Sequence, residues 1–220
     1  MTDTRRFDLL VFDWDGTLVD SAAAIVASVQ AACRDLGLPE PSEEAARYII
    51  GLGLKEALTA LVPELPASRH GELVERYRLH FLARDHDIPL FPGARETVEG
   101  LHARGYWLAL ATGKSRRGLA RALGATGLAP YFHASRCADE CFSKPHPAML
   151  QELLEEFALA PQRALMIGDT VHDLQMARNA GVPALAVAYG AHPKQALMAL
   201  EPLGCVESVA ELNQWLATNA

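Results

Sequence analysis

The sequence predicts an α/β fold in which a helical domain is inserted into a doubly wound parallel-sheet core of Rossmann-like type. Three observations predict it. Short, almost unbroken apolar runs at 7–12, 107–111, 164–167 and 184–188 have the length and composition of strands buried on both faces. Each alternates with a segment of helical period, the pattern of a sheet covered by helices on both sides. Residues 18–88, between the first run and the second, have helical period and little strand character, and are too long for a simple crossover.

The first strand ends where Asp13-Trp14-Asp15-Gly16-Thr17 replaces the apolar run with a tight turn. Ser21 is placed to cap a helix whose apolar face uses Ile25, Val29, Ala32, Cys33 and Leu36, with Gly37 and Pro39 ending it. Ser42 begins a second helix, broken at Gly51-Leu52-Gly53. The period resumes over 54–61 and again through Leu73, Tyr77 and Phe81. Two prolines and a glycine in 88–93 suit a stiff hinge back to the sheet. The expected division is therefore a core of 1–17 and 89–220 and a helical cap of 18–88. After the second strand, Lys114, Arg116 and Arg117 read as solvated charges at a helix start. Pro147 fits the first turn of a later helix.

Composition narrows the function. Over 220 residues, 50% hydrophobic and 21% charged content excludes disordered, collagen-like and coiled-coil classes. The 27 acidic against 20 basic residues, a net charge of −7, oppose binding to nucleic acid or an anionic membrane through the overall field. No apolar stretch approaches the ~20 residues of a bilayer span. The opening apolar run stops at Asp13, so no secretory leader is expected, and Cys33, Cys137, Cys141 and Cys205 read as reduced cytoplasmic thiols. Cys137 and Cys141 lack a second pair at zinc spacing. With no exposed apolar stripe, a monomer or weak dimer is expected.

The residues after each strand carry the chemistry, because ligands of such sheets bind outside the strands' carboxyl ends. They are Asp13 and Asp15; Thr112 and Gly113; Lys144, next to Pro145; and Asp169 and Asp173 within Gly168-Asp169-Thr170-Val171-His172-Asp173. Several carboxylates with a hydroxyl and an ammonium suit a hard, oxygen-ligated cation, Mg²⁺, together with a phosphoryl group. His146 and His172 lie beside these motifs without a position the chemistry requires. Gly113-Lys114-Ser115 imitates a phosphate-binding P-loop, but Leu108 stands where that motif needs glycine.

These four segments, in this order and with a helical insert after the first, resemble the haloacid dehalogenase-like superfamily, and within it phosphatases of the phosphoglycolate phosphatase type. The resemblance implies that Asp13 is the nucleophile, forming an aspartyl-phosphate, and that Asp15 is the general acid and base. It implies that Lys144, Thr112 and the Gly113 N–H hold the phosphoryl group. Mg²⁺ would be held by Asp13, Asp169 and the Asp15 backbone carbonyl, with Asp173 acting through water or from behind. The Gly51-Leu52-Gly53 loop would face the site, making Arg47 and Lys55 candidates for reading the leaving group. A small phosphorylated metabolite, such as 2-phosphoglycolate, is the implied substrate. Asp15 separates the chain from dehalogenases, which carry Tyr there, and from phosphonate hydrolases, which carry a small residue. Hexose-phosphate mutases similar to β-phosphoglucomutase share Asp15 and the cap, but Thr17 leans toward phosphatases. The remaining alternative is a catalytically idle interaction subunit.

Overall fold

The computed structural model describes residues 5–220, so residues 1–4 of the segment assigned to the core lie outside the described residues. Six strands, β1 (Leu9–Phe12), β2 (Trp107–Thr112), β3 (Ala134–Cys137), β4 (Ala164–Gly168), β5 (Ala184–Val187) and β6 (Cys205–Val206), form one sheet in the order β3-β2-β1-β4-β5-β6. Every pairing is parallel. The central position of β1 between β2 and β4 puts the reversal of strand order, and hence the crevice, at its carboxyl end.

Alternation along the strands builds two cores. Leu10, Phe12, Leu108, Leu110, Leu165 and Ile167 face helices α5 (Ala94–Ala103) and α10 (Val209–Asn219), which contribute Val98, Leu101, Leu212 and Leu216. Leu9, Val11, Ala109, Ala111 and Met166 point the other way, onto α7 (Ala148–Glu156) and α8 (Val171–Ala180) through Leu150, Leu153 and Met176. A strand buried on both faces must read as a continuous apolar run, and each large side chain so buried stabilises the fold by about 1.5–3 kcal/mol.

Within the inserted stretch, residues 18–88, lie four α-helices, α1 (Ala22–Asp35), α2 (Glu43–Tyr48), α3 (Leu54–Leu61) and α4 (His70–Leu82). They share a separate apolar cluster in which Ile25, Val29, Cys33, Leu58, Leu73 and Phe81 pack together. Ser42 caps α2 as expected, accepting from the Ala45 N–H. The two crossing segments are tied to each other: the Asp20 N–H donates to the Pro89 carbonyl and the Phe91 N–H to the Leu18 carbonyl, both at 3.0 Å. Helices α6 (Arg116–Thr126) and α9 (Lys194–Met198) complete the layers. Among the described residues, no helix is long and apolar enough to cross a membrane.

β3 and β6 have no counterpart in the sequence reading. β3 is an edge strand with Ser135 and Arg136 in its middle and only Cys137 fully buried, so it lacks the apolar run of the central strands. β6 is two residues long.

Candidate active site

Asp13 and Asp15 follow β1, Thr112 and Gly113 end β2, Lys144 lies in the loop after β3, and Asp169 follows β4 with Asp173 in the first turn of α8. The sheet thus brings the expected core residues to one edge. Asp13, Lys144, Asp169 and Asp173 are all at most 2% exposed. Lys144 Nζ lies 2.8 Å from Asp13 Oδ1 and 2.6 Å from Asp173 Oδ1. Apart from this ammonium, neither Asp13 carboxylate oxygen has a hydrogen-bond partner among the described residues, and both are buried. Burial drives the Asp13 carboxyl well above the usual range, with Asp173 and Asp169 adding to the rise against the opposing pull of Lys144. Burial likewise pushes Asp169 up to about 7, reinforced by Asp173. For Lys144 burial acts to lower the value, but Asp13 and Asp173 outweigh it and hold the ammonium above its ordinary value.

Asp13, Asp169 and Asp173 offer oxygens all within 4.8 Å of one another. Three buried carboxylates against one ammonium, with no donor but Lys144 on the Asp13 oxygens, fit a hard divalent cation. Asp169 is held for such a role: the Thr17 hydroxyl donates to its Oδ1 and the Ala191 N–H to its Oδ2, each at 2.8 Å. Gly16 makes room for it. Its φ of +81° is a left-handed turn, and a Cβ there would stand 2.1 Å from Asp169 Oδ2. Asp173 Oδ2 accepts from the Thr170 hydroxyl and N–H at 2.6 and 3.1 Å, a capping box that starts α8.

The Asp15 carboxylate stands apart from this group and corrects two expectations. Ser21 occupies the N-cap position of α1 without capping it; its hydroxyl instead donates to Asp15 Oδ1 at 2.7 Å. Lys114 is not a solvated helix-start charge. Its Nζ lies 3.1 Å from Asp15 Oδ1, both side chains are 12% exposed, and the ammonium sits 4.7 Å from the centre of the Phe81 ring of α4. Sequence reasoning missed Lys114 because the residue covering it is over thirty positions away and belongs to the insertion. Arg116 stands at the start of α6 but is not a solvated charge either: its guanidinium pairs with Glu140 at 2.6 Å and donates to the Ser135 hydroxyl and carbonyl.

The insertion reaches the core through the Gly51-Leu52-Gly53 loop. The carbonyls of Leu52 and Gly51 lie where a Cβ on Gly113 would be, at 2.3 and 2.7 Å, and the Gly53 N–H donates to Ser143 Oγ at 2.7 Å. Two buried histidines add a second grip: His172 Nε2 and His192 Nε2 both donate to the Tyr48 carbonyl, at 2.7 and 3.1 Å. Burial lowers both from the ordinary histidine value. A cavity of about 880 Å³ opens between insertion and core beside Asp15. Lys55 lines it, whereas Arg47 does not and pairs with Glu43 at 2.8 Å. All four cysteines are unpaired, and burial pushes the Cys137 thiol up to about 12.

Residues 10–187 match the model of the haloacid dehalogenase-like hydrolase family. The chain is similar to IndB of Dickeya dadantii, named a probable phosphatase, with 36% identity covering 93% of this chain and 91% of that one. It is similar to a phosphoglycolate phosphatase of Agrobacterium fabrum, 32% identical over 96% of this chain and 93% of the relative. Among solved structures, a predicted phosphoglycolate phosphatase from Haemophilus somnus superposes with a TM-score of 0.84 at 26% identity, covering 96% of this chain and 99% of that one.

Proposed function

This chain belongs to the haloacid dehalogenase-like hydrolases and is a phosphatase, and we propose that it hydrolyses a small-molecule phosphomonoester through an aspartyl-phosphate on Asp13, with Mg²⁺ as cofactor. One observation carries this reading: Asp13 is buried beside the Lys144 ammonium, 2.8 Å away, with no other hydrogen-bond donor on either carboxylate oxygen among the described residues. A carboxylate withdrawn from water is a stronger nucleophile than a hydrated one, and Lys144 can neutralise charge on the phosphoryl oxygens.

In the first half-reaction an Asp13 oxygen bonds to phosphorus, the P–O bond to the alcohol breaks, and Asp15 gives that oxygen its proton. In the second, water attacks phosphorus, Asp15 takes the water's proton, and phosphate leaves as Asp13 regains its carboxylate. The Ser21 hydroxyl and Lys114 orient the Asp15 carboxylate for both transfers. The Thr112 hydroxyl and the Gly113 N–H, at the end of β2, hold phosphoryl oxygens. Asp13 and Asp169, with the Asp15 backbone carbonyl, would hold Mg²⁺, and Asp173 would steady Lys144 behind them. When bound, the cation neutralises the phosphoryl oxygens and lets the anionic substrate approach a carboxylate. The four-helix insertion acts as a cap, its 51–53 loop closing on Gly113 to exclude water, with 18–21 and 88–93 as the hinge.

The relatives' names make 2-phosphoglycolate the reference substrate. Phosphate release measured with Mg²⁺ and with a chelator tests the reading. Release that requires the cation and is lost in Asp13→Asn supports it; release that survives either change overturns it.

A further inference from the structure

The cavity beside Asp15 describes the leaving group. Asp15, Gly113 and Lys114 line it, but Asp13, Lys144 and Asp169 do not, so the phosphoryl end belongs beneath it and the alcohol inside it. Its volume of about 880 Å³ lies in the upper part of the range that encloses drug-sized ligands, roughly 300–1,000 Å³. A two-carbon acid would leave most of it empty. One wall is aromatic: Tyr77 and Phe81 stack with ring centroids 5.6 Å apart and 16° between planes. Ile25 and Leu54 extend that apolar surface.

The rim carries five cations and four carboxylates in a chain whose net charge is −7. Three of its cations are engaged, Lys114 by Asp15, Arg78 by Glu75 and Arg121 by Asp85. Lys55 and Arg117 have no ion pair among the described residues, and they come from opposite sides, Lys55 from α3 of the insertion and Arg117 from α6 of the core. Of the acids sharing the lining, Asp15 and Glu75 pair with Lys114 and Arg78, Asp139 accepts from the Arg116 backbone N–H at 2.8 Å and keeps its charge, and Glu56 adjoins Lys55 in the first turn of α3.

We propose that the substrate is a phosphomonoester whose alcohol carries a ring or similarly broad apolar body and, beyond it, a second anionic group, carboxylate or phosphate, held between Lys55 and Arg117. This rests on the phosphomonoesterase reading above. 2-Phosphoglycolate has the second anion but lacks the body that would carry it across the cavity. Because the two cations belong to different layers, a group bridging them also draws insertion and core together, so that binding remote from phosphorus assists the reaction.

The test compares kcat/KM, with Mg²⁺ at fixed ionic strength, for phenyl phosphate against 4-carboxyphenyl phosphate, adenosine 5′-monophosphate against adenosine 3′,5′-bisphosphate, and 2-phosphoglycolate. The expected result is a gain of tenfold or more from the second anion in at least one pair, with that dianion ahead of 2-phosphoglycolate. The carboxylate and phosphate arms show which anion is read. In the Lys55→Ala/Arg117→Ala double variant the gain falls to within about twofold, while Arg76→Ala, an exposed change on α4 outside the cavity, keeps it. No gain from the second anion, a gain that survives the double variant, or 2-phosphoglycolate leading the series would overturn the proposal. Failure of the underlying reading looks different: no compound, phenyl phosphate included, then releases phosphate in a cation-dependent way.

Discussion

Replacing Gly113 with alanine should separate the docking of the insertion from the integrity of the core. Gly113 does not have positive φ, so its backbone accepts a side chain. Its obstacle is external. A Cβ would stand 2.3 Å from the Leu52 carbonyl oxygen and 2.7 Å from that of Gly51, both backbone atoms of the insertion loop. Ordinary contact needs about 3.5 Å, so the loop must rise by roughly 1 Å. Overpacking of this kind is worth about 1–3 kcal/mol, and here it falls on the docked arrangement, because lifting the loop relieves it. If docking is required in the transition state, kcat/KM should fall about 5- to 150-fold. The assay is phosphate release alongside thermal denaturation. Gly124→Ala is the control, since a Cβ there meets nothing within 4 Å and removes a glycine from the interior of α6. It should stabilise by about 0.5–1 kcal/mol and leave turnover unchanged. A Gly113→Ala enzyme within twofold of wild type would refute the reasoning.

The other predictions concern charge. Lys144→Met leaves Asp13 and Asp173 buried without their cation; turnover should fall by more than a hundredfold and stability by about 3–5 kcal/mol. The loss should be larger at pH 8 than at pH 5, where the Asp13 carboxyl, raised by burial, can take up a proton, as denaturation at the two values would show. In the cation-free wild type, Asp13 and Asp169 have raised folded-state values, about 7 for Asp169, so the folded chain holds more protons than the unfolded chain between roughly pH 4 and 7. Stability should therefore fall as pH rises through that window, and Mg²⁺ should raise the melting temperature more at pH 8 than at pH 5. Ser21→Ala removes the 2.7 Å bond to Asp15 rather than a helix cap; kcat should drop about tenfold with KM nearly unchanged, whereas a capping role would move the melting temperature and spare kcat.

What was legible in the sequence follows the range of the interactions. Central strands declare themselves because burial on both faces forces a continuous apolar run, as in Leu9–Phe12 and Ala164–Gly168. Edge strand β3 escapes because Ser135 and Arg136 face partly outward. The residues of the candidate site were readable because parallel topology sends every strand's carboxyl end to one edge, whatever the intervening helices, and their proposed roles came from the family resemblance. Contacts between insertion and core were not readable. Ser21 has the spacing of a cap and Lys114 that of a solvated charge, and only the meeting of Asp15, Ser21, Lys114 and Phe81 reassigns them. Tyr48, His172 and His192 converge for the same reason, without any local signal. Arg47 and Lys55 flank the same loop, yet one is spent on Glu43 and the other lines the cavity.

The role of Asp13 is tested most directly by trapping. The enzyme is mixed with a turned-over phosphomonoester and Mg²⁺, quenched in acid within milliseconds and treated with borohydride, which reduces an acyl phosphate to the alcohol. Peptide mass spectrometry should then find homoserine at position 13, and at no other aspartate, in an amount that rises and decays with turnover. Homoserine at another position, or none while phosphate is being released, would contradict the assignment of Asp13 as the nucleophile.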